Sequence, residues 1–151
     1  MGIRLVLVRH GLSSFNQKGL IQGRTDESLL TDEGYEQAVK TGEALAKINF
    51  TEIYSSPLIR AAETAKTIQK SFKKEQNIIF DKDLLEVDLS SWSGLTINEI
   101  KEKYPEIYPV WKNDPENLTL KRNNKSYKPI QELFDQADNF INKIFKKYSN
   151  Q

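Results

Sequence analysis

A chain of 151 residues is long enough for one domain with a real core and short for two. Its 22 Lys+Arg against 21 Asp+Glu leave a net charge of +1, which makes no electrostatic case for a nucleic-acid or membrane-surface partner. With no cysteine and a single histidine, disulfides, thiolate metal sites and multi-histidine metal sites are excluded, so the chemistry has to come from His, Arg, carboxylates and hydroxyls.

The chain opens on Leu5-Val6-Leu7-Val8-Arg9-His10-Gly11. Four apolar residues in a run too short for a helix predict a buried parallel strand covered on both faces. That strand would end by presenting Arg9 and His10 at its carboxyl edge, where open α/β sheets place their ligands. No signal-like segment precedes it and no apolar run reaches membrane-spanning length, so a cytoplasmic protein is the expectation.

Residues 12–30 read as a long polar loop, which is usually functional. Thr31 then reads as an N-cap with Asp32 and Glu33 in the first turn, opening a helix whose inner face is Tyr35, Ala38, Val39, Gly42, Leu45 and Ala46. Ile53-Tyr54 predicts a second strand leading into Ser56-Pro57, a cap and first helical residue for a second helix with Leu58, Ala61, Ala62, Ala65 and Ile68 inward. Two strand–turn–helix units argue for an α/β domain with a parallel sheet.

Ile78-Ile79-Phe80 predicts a third strand, and Thr96 with Glu99 a capping box opening a helix to about Tyr104. Pro105, Pro109 and Pro115 mark a broken insert with Trp111 as its expected anchor, and residues 117–128 read as loop. From Pro129 onward Ile130, Leu133, Phe134, Ala137, Phe140, Ile141, Ile144, Phe145 and Tyr148 form one helical stripe. No repeat or linker interrupts this, so a single domain over residues 1–151 is expected.

Only five of the 22 basic residues are arginine, and three of them fall in ligand-facing contexts: Arg9 at a strand end, Arg24 in the polar loop and Arg60 at a helix start. A cation at a helix N-terminus opposes the dipole, so Arg60 there points to an anion. Planar bidentate donors suit phosphate. His10 is then a candidate nucleophile and Glu86, entering after the third strand, a candidate proton donor. Taken singly, each has a bland alternative: a structural histidine, a solvated loop Arg24, an Arg60 paired with Glu63 or Glu86.

In order along the chain, Leu7-Val8-Arg9-His10-Gly11, Asn16, Gln22-Gly23-Arg24, Leu30-Thr31-Asp32-Glu33-Gly34, Tyr54-Ser55-Ser56-Pro57 with Arg60-Ala61 and Thr64-Ala65, and Leu85-Glu86 resemble the histidine phosphatase superfamily, in particular its phosphoglycerate mutase-like branch. The resemblance covers roughly the first two-thirds of the chain. It implies a three-layer α/β/α fold with a mainly parallel central sheet. It implies His10 and Glu86 as catalytic residues, and Arg9, Asn16, Gln22, Gly23 and Arg60 as phosphate or substrate contacts, with no metal or other cofactor. The implied activity is phosphomonoester hydrolysis through phosphohistidine on a small phosphorylated metabolite, with phosphoglycerate mutase as the alternative. A non-catalytic phosphate-binding module and a truncated fragment are the readings of another class.

The chain departs from the family pattern at its end. The resemblance implies a second histidine on a strand near the C-terminus, lying between the first two strands of the sheet, yet His10 is the only histidine and the sequence ends at Gln151. The domain is therefore expected to lack its C-terminal strand. Losing one phosphate donor is expected to weaken transition-state stabilisation by a few kcal/mol, about the effect of removing one oxyanion donor. Three outcomes are open: a fragment, a strand supplied by homo-oligomerisation or strand exchange, or direct pairing of the first two strands in a stable monomer.

Overall fold

The computed structural model describes residues 2–148; Met1 and residues 149–151, at the two bounds of the expected domain, lie outside them. In chain order the elements are α1 (Ser14–Lys18), α2 (Asp32–Leu45), β1 (Ile53–Ser55), α3 (Ile59–Gln69), β2 (Ile78–Phe80), α4 (Ile97–Lys103), α5 (Tyr108–Asn113), β3 (Leu120–Arg122), β4 (Lys125–Tyr127) and α6 (Pro129–Tyr148), with 3-10 turns at Lys82–Leu84, Ser90–Trp92 and Pro115–Asn117. The fold is α/β, as expected. β1 and β2 pair in parallel with Ile53 opposite Ile78, joined through α3, which packs on both strands and on α2. α6 covers the sheet face bearing Tyr54, whose ring meets Phe140 edge-on at 5.4 Å between centroids.

The sheet is smaller than expected, because the opening strand does not form. Among the described residues Leu5–Val8 joins no ladder, and its four residues are 45, 42, 88 and 45% exposed. An apolar run becomes a buried strand only when neighbours supply both hydrogen bonds and cover. Here β1 pairs with β2 alone, so direct pairing of the first two predicted strands is not what the chain adopts. The same lack of cover leaves Tyr35 and Val39 of α2 exposed, with only Gly34, Ala38 and Gly42 of that helix buried.

Helix boundaries follow local chemistry. Thr31 caps α2 by accepting from the Gly34 amide, and Thr96 and Glu99 form the expected capping box on α4. The start of α3 differs: Leu58 is its N-terminal flanking residue without a side-chain cap, and Asp26 from the preceding loop accepts from the Ile59 amide at 2.8 Å. Ser56 is turned instead toward the Leu58 amide.

The polar loop contains α1, capped by Ser13 and ended by Gly19 at φ 68°, a left-handed residue that glycine adopts without penalty. Residues 117–128, expected as loop, contain the antiparallel hairpin β3–β4. Its turn is Asn123-Asn124 at φ 52° and 61°, the backbone of a type I′ turn that asparagine tolerates.

A core lies beneath the segment that carries Glu86. Trp92 is fully buried among Val87, Leu89, Ile100, Leu118 and Leu120, with Trp111 edge-on at 5.8 Å. Trp92, not Trp111, anchors the insert, because its 3-10 turn drives it inward while Trp111 is only half-buried on the core's margin. On α6 the long stripe is covered at Phe140 and Ile144, while Phe134 and Phe145 stay about half exposed.

Candidate active site

His10 and Gly11 are held from their C-terminal side. The Gly11 amide donates to Thr64 Oγ1 at 3.1 Å, and that hydroxyl donates to the Arg60 carbonyl at 2.7 Å, so the first two turns of α3 fix the backbone next to His10. Leu12 continues the anchorage: its amide donates to Gln37 Oε1 and its carbonyl accepts from the Thr31 amide. Both glycines here are demanded by contact. A Cβ on Gly11 would meet the Gly34 carbonyl oxygen at 2.3 Å, and one on Gly34 the Leu12 carbonyl oxygen at 2.1 Å. The N-terminus of α2 can therefore press directly on the His10 loop.

The half-buried imidazole of His10 places Nδ1 2.8 Å from the Gly11 carbonyl. A carbonyl only accepts, so the proton sits on Nδ1 and the Nε2 lone pair is left available. Burial pushes the His10 pKa below its usual 6.5, with the positive fields of Arg60 and Arg9 acting in the same direction against the Gly11 hydrogen bond and the Glu86 carboxylate. The neutral, nucleophilic form is the one the site favours.

The sign of this shift fixes a pH dependence. Below 6.5 the unfolded chain binds a proton that the folded chain resists, so stability falls as pH drops from 6.5 and the penalty is complete only below the folded pKa. Because the chain has one histidine, its imidazole resonances need no assignment. A two-dimensional NMR titration should give a midpoint below 6.5, and a midpoint at or above that value would remove the case for a neutral nucleophile.

Arg60 is 1% exposed. Its Nη1 donates to the Thr25 carbonyl at 2.9 Å and its Nη2 to the Gly23 carbonyl at 2.7 Å, while Nε is buried with no partner among the described residues. Burial lowers its pKa, opposed by the charges of Glu86 and Asp26. Neither Glu63 nor Glu86 bonds to it; Glu63 pairs with Lys66. A buried guanidinium whose direct partners are carbonyls, with the carboxylates of Glu86 and Asp26 acting only through their fields, is in the condition in which it attracts an anion.

Arg9 is exposed and, with His10, Gly11, Leu12, Asn16 and Gln37, lines a cleft of about 550 Å3 against α2. Asn16 reaches it from α1, its side chain bonded to Ser13. Gly23, at φ 51°, offers its carbonyl to Arg60. Gln22 is placed otherwise: it is buried, and its Oε1 accepts from the hydroxyls of Ser13 and Ser28, both fully buried. It frames the loop from within.

Glu86 is exposed beyond the 3-10 turn Lys82–Leu84, its carboxylate accepting from the Val87 amide at 3.2 Å and close enough for its field to act on both His10 and Arg60. Arg24 does not face the cleft as a free donor, since its Nε donates to the Glu86 carbonyl at 2.8 Å. Sequence reasoning missed Asp26 as the cap of α3 and Ser13, Ser28 and Gln37 as loop anchors. An Asp two residues after a Gly-Arg pair was the available signal, but its helix partner is 33 residues away.

The model of the histidine phosphatase superfamily (branch 1) matches residues 5–151. The chain belongs to this superfamily. Among its relatives, 2-carboxy-D-arabinitol-1-phosphatase of Triticum aestivum is 38% identical over 134 residues, 89% of this chain and 26% of that protein. Phosphoserine phosphatase 1 of Hydrogenobacter thermophilus is 30% identical over 149 residues, 99% of this chain and 67% of that protein. Among solved histidine phosphatase-like structures, YhfR of Bacillus stearothermophilus superposes with a TM-score of 0.82 at 26% identity, over 93% of this chain and 66% of the other. The alpha-ribazole phosphatase of Shigella flexneri gives 0.81 at 23% identity, over 95% and 67%. The chain thus spans between about a quarter and two thirds of the length of these relatives.

Proposed function

We propose that the site hydrolyses small phosphomonoesters through a phosphohistidine on His10. The observation that carries this is the imidazole itself, with its Nδ1 proton held by the Gly11 carbonyl and its pKa depressed by burial and the fields of Arg60 and Arg9. The Nε2 lone pair attacks phosphorus in line as the ester P–O bond breaks, and the departing oxygen takes a proton from Glu86. Water then attacks phosphorus, gives its proton to the Glu86 carboxylate and releases phosphate as the P–N bond electrons return to Nε2.

Arg9, Arg60 and the Asn16–Gly23 loop oppose the charge spread over the transferring oxygens. The unpartnered Arg60 Nε supports that role. Gln22 contributes by holding the loop. No residue of this scheme requires a metal ion, and a cytoplasmic setting belongs to the same reading. Among the described residues no helix is long and apolar enough to cross a membrane.

The phosphatase names of the relatives favour hydrolysis over phosphoryl return to a second hydroxyl. The test is to react the protein with p-nitrophenyl phosphate, quench by denaturation and examine bound phosphate by 31P NMR. A single alkali-stable, acid-labile phosphoryl group on the His10 peptide is expected. Hydrolysis accompanied by an acid-stable label, or by none in a rapid quench, would overturn the mechanism.

A further inference from the structure

The segment carrying Glu86 has no helical or strand ladder between residues 85 and 89, yet it is gripped at three points. Arg24 Nε donates to the Glu86 carbonyl at 2.8 Å, and Gln136 Nε2 donates to the Leu85 carbonyl at 3.3 Å. The two side chains also join each other, Arg24 Nη2 donating to Gln136 Oε1. Two residues on, buried Asp88, whose Oδ2 also lies 3.9 Å from Arg24 Nη1, accepts from Arg122 at 2.6 Å, and Arg122 forks onto Glu132 through Nη1 and Nη2 at 3.2 and 3.0 Å. Glu132 and Gln136 are four apart on α6 and so share one face.

We infer that Arg24 and Gln136 are positioning residues for Glu86: they close a ring with the Leu85 and Glu86 carbonyls that fixes where the proton-donating carboxyl stands relative to His10. Positioning of this kind matters because a proton donor works only within hydrogen-bond reach of the leaving oxygen, and these two side chains hold the carbonyls of Leu85 and Glu86 on a segment that belongs to no helix or strand. Arginine is required at position 24 because one guanidinium must donate in two directions, to a carbonyl through Nε and to an amide oxygen through Nη2; a lysine ammonium at the end of a flexible stem does not reproduce that fork.

The inference rests on Glu86 as the proton donor, and the experiment separates the two. In the full 151-residue chain, Arg24→Ala, Gln136→Ala and Glu86→Gln are compared on p-nitrophenyl phosphate, whose phenolate leaves without help, and on an alkyl phosphomonoester, whose alkoxide does not. Arg24→Ala and Gln136→Ala should lower kcat on the alkyl ester by about tenfold or more while p-nitrophenyl phosphate changes by less than about threefold, with Arg24→Lys failing to restore the difference. Equal losses on both substrates, or none, overturn the positioning role, provided Glu86→Gln shows the leaving-group dependence. If Glu86→Gln itself shows none, it is the proton-donor assignment that fails. A second readout is independent of turnover. Glu86→Gln should move the His10 titration midpoint down, and Arg24→Ala should move it the same way if the carboxylate is displaced; a midpoint unchanged by Arg24→Ala, against a shifted one for Glu86→Gln, rejects the proposal.

Discussion

Replacing His10 by alanine is expected to reduce p-nitrophenyl phosphate hydrolysis by on the order of 10^4-fold or more, the scale on which a covalent nucleophile is lost. The expectation follows from the absence of a substitute. The chain contains no other histidine and no cysteine, and the hydroxyls of Ser13, three residues on, and of Thr64, which holds the Gly11 amide, are bonded into the frame of the loop. Steady-state kinetics, together with inorganic phosphate binding followed by isothermal titration calorimetry, would check it. The variant should retain phosphate affinity within a few-fold, because the arginines remain, while turnover disappears. Turnover that survives would remove His10 from the mechanism; phosphate affinity that collapses together with turnover would mean the substitution has disturbed the Gly11–Thr64 contact.

Trp92→Ala should destabilise the fold by about 3–5 kcal/mol, the range for truncating a fully buried large aromatic. Trp92 is 0% exposed and is the common neighbour of Val87 and Leu89 beside the Glu86 segment, Ile100 of α4, and Leu118 and Leu120 of the hairpin. Its rings contact Trp111 and Tyr104 at 5.8 and 6.0 Å. Its indole Nε1 is buried without a partner among the described residues, so the truncation also relieves one unpaired donor, and the lower part of the range is expected. A domain of this size has about 5–15 kcal/mol in total. Urea unfolding followed by far-ultraviolet circular dichroism should show the midpoint falling steeply, and a change under 1 kcal/mol would mean that the core repacks around the gap.

Elements whose signals are local were legible in the sequence. The Thr31 and Thr96 caps, the two short strands at Ile53 and Ile78 and the long amphipathic α6 all depend on residues within one turn or one strand of each other. The His10, Arg60 and Glu86 motifs were likewise local, each carried by a few consecutive residues. What was not legible depended on distant partners. Leu5–Val8 has the composition of a buried strand, and only the tertiary surroundings decide whether a ladder and a cover exist. Nothing near Gln22 in the sequence shows that its Oε1 accepts from two buried serines, nine residues before and six after it. Two local signals were overlooked: the Ser13 cap and Gly19 stop that bound α1, and the Asn123-Asn124 turn, a left-handed pair set between short alternating segments.

The exposed run from Leu5 to Val8 also changes what Arg9 means. It is a short, uncharged, β-prone segment with unpaired backbone, the kind that seeds edge-to-edge association, and Arg4 and Arg9 stand at its two ends. Charged residues flanking such a run act as gatekeepers, keeping copies of the same segment apart. Arg9 therefore faces two ways along the chain, toward the cleft beside His10 and toward the apolar run behind it. Removing its charge touches colloidal behaviour as well as anion binding, and the soluble concentration of any Arg9 variant is part of the reading of its kinetics.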